Sequence, residues 1–182
     1  MKPFIKPIVS SLFVTASLIT AASLGAAEFK LSGDNTAVKF VGSKKDGKHV
    51  GSFPKLAGTF TVDGDVTKAK LEVTLDVEAL TTDTAKLTGH LKSPDFFDAK
   101  RFVEAKFVSK SIKAGAEGYV VAGDLTLHGV THPLSFPAKI AVADGALTVS
   151  SAFDLNRHEW GISYGKGNVN DLVKMTIEVK AK

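Results

Sequence analysis

The chain has 182 residues, with 23 Lys or Arg against 19 Asp or Glu, and no cysteine. Residues 1–27 hold two of the lysines and no acid, so residues 28–182 carry 21 basic and 19 acidic side chains; with no Lys/Arg stripe interleaved with aromatics, that near-neutral balance excludes the usual footprint of a nucleic-acid binder. Without cysteine there is no disulfide, no acylated lipoprotein anchor and no thiol nucleophile, and a domain of this length must hold together by packing.

The opening MKPFIKPIVSSLFVTASLITAASLGAA combines Lys2 and Lys6 with an uncharged apolar stretch from Ile8 and small residues at Gly25 and Ala27. This is the layout of a cleaved export signal. A membrane anchor has a similar length, about 20 residues, but the richness in Ala, Ser and Thr favours cleavage after Ala27. Residues 28–182 are then one exported domain.

From residue 36 the rhythm is a two-residue alternation, the mark of a strand with one dry and one wet face. Runs over residues 36–43 and 52–62 lead to a turn at Asp63-Gly64-Asp65. Over residues 71–79, Leu71, Val73, Leu75, Val77 and Ala79 alternate with Glu72, Thr74, Asp76 and Glu78. Further runs cover residues 101–113, 118–128, 131–142 and 146–155, with Asp144-Gly145 as a turn. At the end Val173, Met175, Ile177 and Val179 alternate with Lys174, Thr176, Glu178 and Lys180. About eight strands with short connections predict an all-β antiparallel fold.

Residues 81–100, TTDTAKLTGHLKSPDFFDAK, break the rhythm. Asp83 is placed to cap a short helix carrying Leu87 and Leu91 on one stripe, and Ser93-Pro94 reads as a second N-cap with proline at the first helical position. Helical material inserted once between barrel strands lies over an open end. Phe96 and Phe97 there are either a plug of core side chains or a lid that touches a ligand.

The stretch LTLHGVTHPLSF, residues 125–136, holds two histidines four apart. In a helix both would face one metal ion, but a glycine, two β-branched residues and a proline make poor helix. A two-residue turn at Gly129-Val130 would instead pair Leu125 with Leu134 and Val121 with Ala138, set Phe136 beside Gly123, and gather the apolar residues on one face. His128 then falls on the wet face and His132 on the dry face, so they share no ion. His49, His90 and His158 lie in three separate contexts, and no GxSxG, Walker loop or GxGxxG is present. The reading is therefore of a non-enzyme without metal; a hydrolase or isomerase using His132 or His158 is the catalytic alternative, because sites are defined by geometry rather than spacing.

Eight antiparallel strands either close into a barrel or pack as a sandwich. A closed barrel with an apolar inner face holds one small or elongated ligand; if the same side chains fill the interior, the result is a β interaction module with no ligand. The residues expected around a cavity are Leu71, Val73, Leu75, Phe107, Leu125, Leu127, Phe136, Val149, Phe153, Val173, Met175 and Ile177, with Phe96, Phe97 and Trp160 at an end. Asn156 and Arg157 interrupt the apolar pattern just past a strand. They are head-group candidates, or else they tie the following loop to its neighbours, a role that loop backbone demands.

Three motifs now carry a family resemblance: HLKSPDFFDAKRF at residues 90–102, GDLTLHGVTHPLSF at 123–136 and FDLNRHEWGI at 153–162. In this order they are similar to the signature segments of the YceI-like family. The resemblance implies an eight-stranded, extended, lipocalin-like antiparallel barrel with one short helical insertion. It also implies binding of a polyisoprenoid or similar long amphiphilic lipid such as a quinone, for storage or transport, in the bacterial periplasm and often as a homodimer. No cofactor other than that lipid is expected, and transient contact with a membrane or membrane protein is compatible with such a role. One departure is the polar stretch at residues 42–48, longer than the compact apolar hairpin that the family leads one to expect.

Overall fold

The computed structural model describes residues 26–182. The expected export signal therefore lies, apart from Ala26 and Ala27, outside the described residues. Alternating side chains produce β1 (Ala27–Ser32), β2 (Thr36–Lys44), β3 (Gly47–Ser52), β4 (Leu56–Val62), β5 (Lys70–Asp76), β6 (Thr81–Thr82), β7 (Glu104–Gly115), β8 (Gly118–Leu127), β9 (Val130–Ala143), β10 (Ala146–Asn156) and β11 (Leu172–Ala181), with one helix, α1 (Ala85–Lys92). All pair antiparallel in the order β1-β4-β5-β7-β8-β9-β10-β11-β2-β3-β6.

The described residues thus form eleven strands where about eight were expected, and the reason is two kinks. β1 runs on into β2 in the same direction across residues 33–35, and β3 into β4 across residues 53–55. Each pair is one long strand broken in two, and without the two-residue β6 the barrel has eight. The same kinks close it. Ser32 and Thr36 are four residues apart, a reach of about 15 Å at most, yet their strands stand near opposite ends of the strand order, where an open sheet would separate them by roughly 35–40 Å at about 4.8 Å per strand. The sheet must curl until its ends meet. Backbone bonds stitch the seam: Lys180 N donates to Asn35 O (2.8 Å) and Asp76 N to Lys55 O (3.0 Å).

Four connections collect at one end of the barrel: β2–β3, β5–β7 with α1, β8–β9 and β10–β11. There the sequence expectations need correction. β5 stops at Asp76 rather than at residue 79, because Asp76 Oδ1 accepts from Ala79 N (3.0 Å) and turns the chain inward. Thr84, not Asp83, caps α1, its hydroxyl accepting from Leu87 N at 3.2 Å; Asp83 is instead held by His49 Nδ1 at 3.0 and 3.1 Å. No second helix starts at Ser93. Its hydroxyl donates back to His90 O (2.8 Å), and the amides of Phe97 and Ala99 return to the carbonyls of Leu91 and Lys92, so the segment finishes α1 as a series of turns.

The β8–β9 hairpin turns at His128-Gly129, one residue earlier than expected. Both residues have positive φ, 51° and 74°, the type I′ geometry that matches strand twist. Leu127 therefore pairs with Val130, Leu125 with His132 and Val121 with Phe136. The inward parity is unchanged, but His128 leaves the wet face: its ring packs on Phe102 (4.7 Å), and Nδ1 lies 3.2 Å from the Trp160 carbonyl, which can only accept, so Nδ1 carries the proton. The ring covering Gly123 is Phe107, not Phe136. A Cβ at Gly123 would stand 2.7 Å from Phe107 Cζ and 2.2 Å from Val108 O.

Beyond Lys139 and Ser150, β9 and β10 part. With Ala143 and Ala146 closing their hairpin, alternation aims the backbone of Pro133 and Pro137 at β10, where neither offers an N–H to a ladder. Ser151 Oγ bonds Pro137 O instead (2.5 Å), and Phe136 stacks on Phe153 across the gap (4.8 Å, 14°). Two buried clusters cap the interior: Phe29, Leu31, Phe60, Val179 and Ala181 belong to the one at the far end, and Val77, Leu80, Leu91, Phe96 and Trp160 to the one beneath α1.

Candidate functional site

Between the two clusters the inward side chains surround a cavity. It has a volume of about 390 Å³ and runs from Leu31, Phe60 and Val179 to a mouth at Gly42, Ser43, Lys44, His49, Leu87, His90, Phe97, Tyr164 and Val169. Eleven inward side chains, Leu71, Val73, Leu75, Leu125, Leu134, Ile140, Val149, Phe153, Val173, Met175 and Ile177, are only partly buried, and all line this space. Inward residues of a filled sandwich would be closed off on every side. Here their residual exposure faces the cavity. Phe136, between Phe107 (5.4 Å) and Phe153, draws three strands together across the middle.

Of the residues expected around a cavity, Phe96, Phe97, Phe107, Leu127 and Phe136 also line it, as do all those named from β5, β8, β10 and β11. Trp160 does not. It is 1% exposed, packed into the wall, and its Nε1 donates to the Leu125 carbonyl (2.9 Å), so the buried indole finds its acceptor on β8 rather than in the cavity. Asn156 is likewise outside the lining. Its Oδ1 accepts from His158 N (3.1 Å) and caps the 3₁₀ turn Arg157–Trp160.

Arg157 touches the lining but is committed elsewhere. At 4% exposure, its Nε donates to Asn170 O (3.1 Å), Nη1 to Ile162 O and Tyr164 O (both 2.8 Å) and Nη2 to Val169 O (3.1 Å). Four of its five N–H groups thus hold the β10–β11 loop, and Asp171 lies 3.8 Å from the same Nη2. Burial pushes its pKa below the ordinary arginine value, with Asp171 acting against the shift. An arginine starts so high that it stays charged.

The mouth has no signature in the sequence: His49 and His90 stand in separate contexts there, yet both border the opening. His90 Nε2 lies 3.2 Å from Asp95, and its ring meets Phe96 and Tyr164 edge-on, both at 5.0 Å, so α1 and the β10–β11 loop touch over the entrance. His49 lies on β3, His90 on α1 and Tyr164 in the β10–β11 loop, so no shared period links them. His132 and His158, the catalytic alternatives, lie outside the lining: His132 rests edge-on against Trp160 (5.9 Å), and His158 Nε2 contacts Asp171 (2.7 Å).

Residues 29–181 match the model of the YceI-like domain. A UPF0312 protein of Pseudomonas putida (strain W619) is 32% identical over 187 aligned residues, covering 97% of each chain, and one of Yersinia enterocolitica is 36% identical over 138 residues, covering 71% and 69%. Among solved structures, BcnA of Burkholderia cenocepacia superposes with a TM-score of 0.75 at 24% identity, covering 81% of this chain and 96% of that one. A polyisoprenoid-binding domain from Saccharophagus degradans superposes with a TM-score of 0.69 at 15% identity, covering 86% and 98%. A model match over almost all of the described domain, and relatives aligned from end to end, establish that this chain belongs to the YceI-like family.

Proposed function

We propose that the protein holds one long-chain isoprenoid or similar amphiphilic lipid in its barrel and stores or ferries it through the periplasm without changing it chemically. The observation that carries this is the apolar cavity, lined by eleven inward side chains that nothing among the described residues covers. The polyisoprenoid-binding domain with the same fold supports the ligand class, and the export-signal layout of residues 1–27 supports the compartment. At ~0.8 kcal/mol per buried methylene, enclosing ten gives ~8 kcal/mol before several are returned in ordering the chain. Polar side chains gather at the mouth, so the ligand's polar end belongs there and its hydrocarbon toward Phe60 and Val179.

The test is native against denaturing mass spectrometry on protein purified from the periplasm, followed by organic extraction. A discrete added mass, recovered chemically intact as an isoprenoid or fatty chain, is the expected result. Met175→Lys, which sets a charge in the cavity wall, should remove it. A protein that stays empty when offered quinones, polyprenols and fatty chains would sink the proposal.

A further inference from the structure

The rim of the cavity carries a second pattern. Asn170 N donates to Ser43 O (2.9 Å), its Nδ2 to Ser43 Oγ (3.3 Å), and Lys44 bridges to Val169, so the β2–β3 turn and the β10–β11 loop form one edge of the mouth. Lys44, Lys45 and Lys48 on the turn and Lys166 on the loop are all exposed. None makes an ion pair among the described residues. Asp46 is the acid within the turn; Asp83, Asp95 and Asp171 are each engaged by a histidine.

Large apolar side chains are exposed beside these lysines: Tyr164 (46%), Val50 (48%) and Leu172 (53%). Val50 pairs with Val41 on the outer face of β2–β3, and Leu172 begins the neighbouring β11. The turns at the opposite end carry both signs, with Asp63, Asp65, Glu117 and Asp144 beside Lys68 and Lys113. What distinguishes the mouth is that four exposed lysines without ion-pair partners among the described residues stand beside exposed apolar side chains at the rim of the cavity.

Basic side chains flanking exposed aliphatic and aromatic groups complement an anionic bilayer: lysines reach head-group phosphates while amphipathic rings settle at the interface. A soluble partner would explain the charge, but not its placement around the mouth of the cavity described above. We propose that the mouth docks on an anionic phospholipid bilayer through Lys44, Lys45, Lys48 and Lys166, with Tyr164, Val50 and Leu172 at the interface, so that lipid passes between bilayer and cavity without crossing water. This takes its purpose from the carrier reading.

The experiment is sedimentation with phosphatidylglycerol/phosphatidylcholine vesicles, using the purified protein, a mouth variant (Lys45→Ala, Lys48→Ala and Lys166→Ala together) and a control (Lys68→Ala, Lys113→Ala and Lys139→Ala together). None of the six lysines lines the cavity. At about fivefold per lysine near an anionic surface, the mouth variant should partition about a hundredfold less, and the control should match the parent. Binding should fall with salt and vanish on pure phosphatidylcholine. No binding by the parent at low salt, or equal loss in both variants, overturns the proposal. Bound lipid is measured on the same samples by mass. An empty protein that still docks through these lysines removes the carrier reading and leaves the docking surface; a loaded protein that ignores vesicles does the reverse.

Discussion

Arg157 shows how one side chain builds the entrance. Its guanidinium reaches four backbone carbonyls of the β10–β11 loop, and that loop supplies Tyr164 and Val169 to the mouth. Lysine has the charge but not the planar fork. Arg157→Lys should therefore lower stability by about 3 kcal/mol, roughly the worth of one or two charge-assisted bonds, as read from the denaturant midpoint. A head-group role alone would instead weaken lipid retention and leave stability unchanged. Asp65 offers a smaller test at the far end. The Thr67 hydroxyl (2.8 Å) and amide (2.9 Å) donate to its carboxylate and hold its pKa below the usual value. A depressed carboxylate stabilises the fold above its unfolded pKa of about 3.9, and that contribution is lost as pH falls through the lower folded value. NMR titration should place the Asp65 midpoint below that of an ordinary aspartate, and Thr67→Ala should raise it.

The β8–β9 hairpin shows what alternation does and does not specify. Which side chains face inward was legible, since a period of two survives a shift of pairing by two residues. The turn was not. Glycine at 129 suggested one positive-φ position, whereas the strand twist selects two, and His128 takes the other because Trp160, far along the chain, supplies an acceptor for its ring. Gly123 is a missing side chain under a ring, as the sequence predicts, but the ring comes from β7. Gly123→Ala should cost about 2–3 kcal/mol by overpacking, measured by thermal or chemical unfolding, because the Val108 carbonyl it would strike belongs to a neighbouring strand and cannot swing aside. A cost near zero would mean that β7 and β8 are not so closely apposed.

As a whole the barrel leaves apolar surface unpaired inside, so its stability is linked to whatever fills it. Anything that binds the folded state alone stabilises by RT ln(1 + [L]/Kd), about 2.7 kcal/mol at a hundredfold excess over Kd. For a domain of this size that is a rise of roughly 5–10 °C in Tm. Delipidated protein should melt lower by that margin and recover when the lipid is returned. An unchanged Tm in calorimetry would show that the cavity is not the binding site.

Strand parity, the all-β class and the inner face of the barrel were present in the order of amino acids, because burying one side of a strand forces strict alternation on its sequence. The three motifs were enough to place the chain among YceI-like proteins. Where the kinks fall, how the seam closes, that Trp160 belongs to the wall and Arg157 to a loop, and that His49, His90, Lys44 and Tyr164 meet at one opening were not. Those features arise from segments separated by tens of residues, which share no common period and find their partners only when the sheet has curled. Whether the inward side chains meet in the middle or stop short and leave a cavity depends on the radius of that curl, which no local pattern encodes.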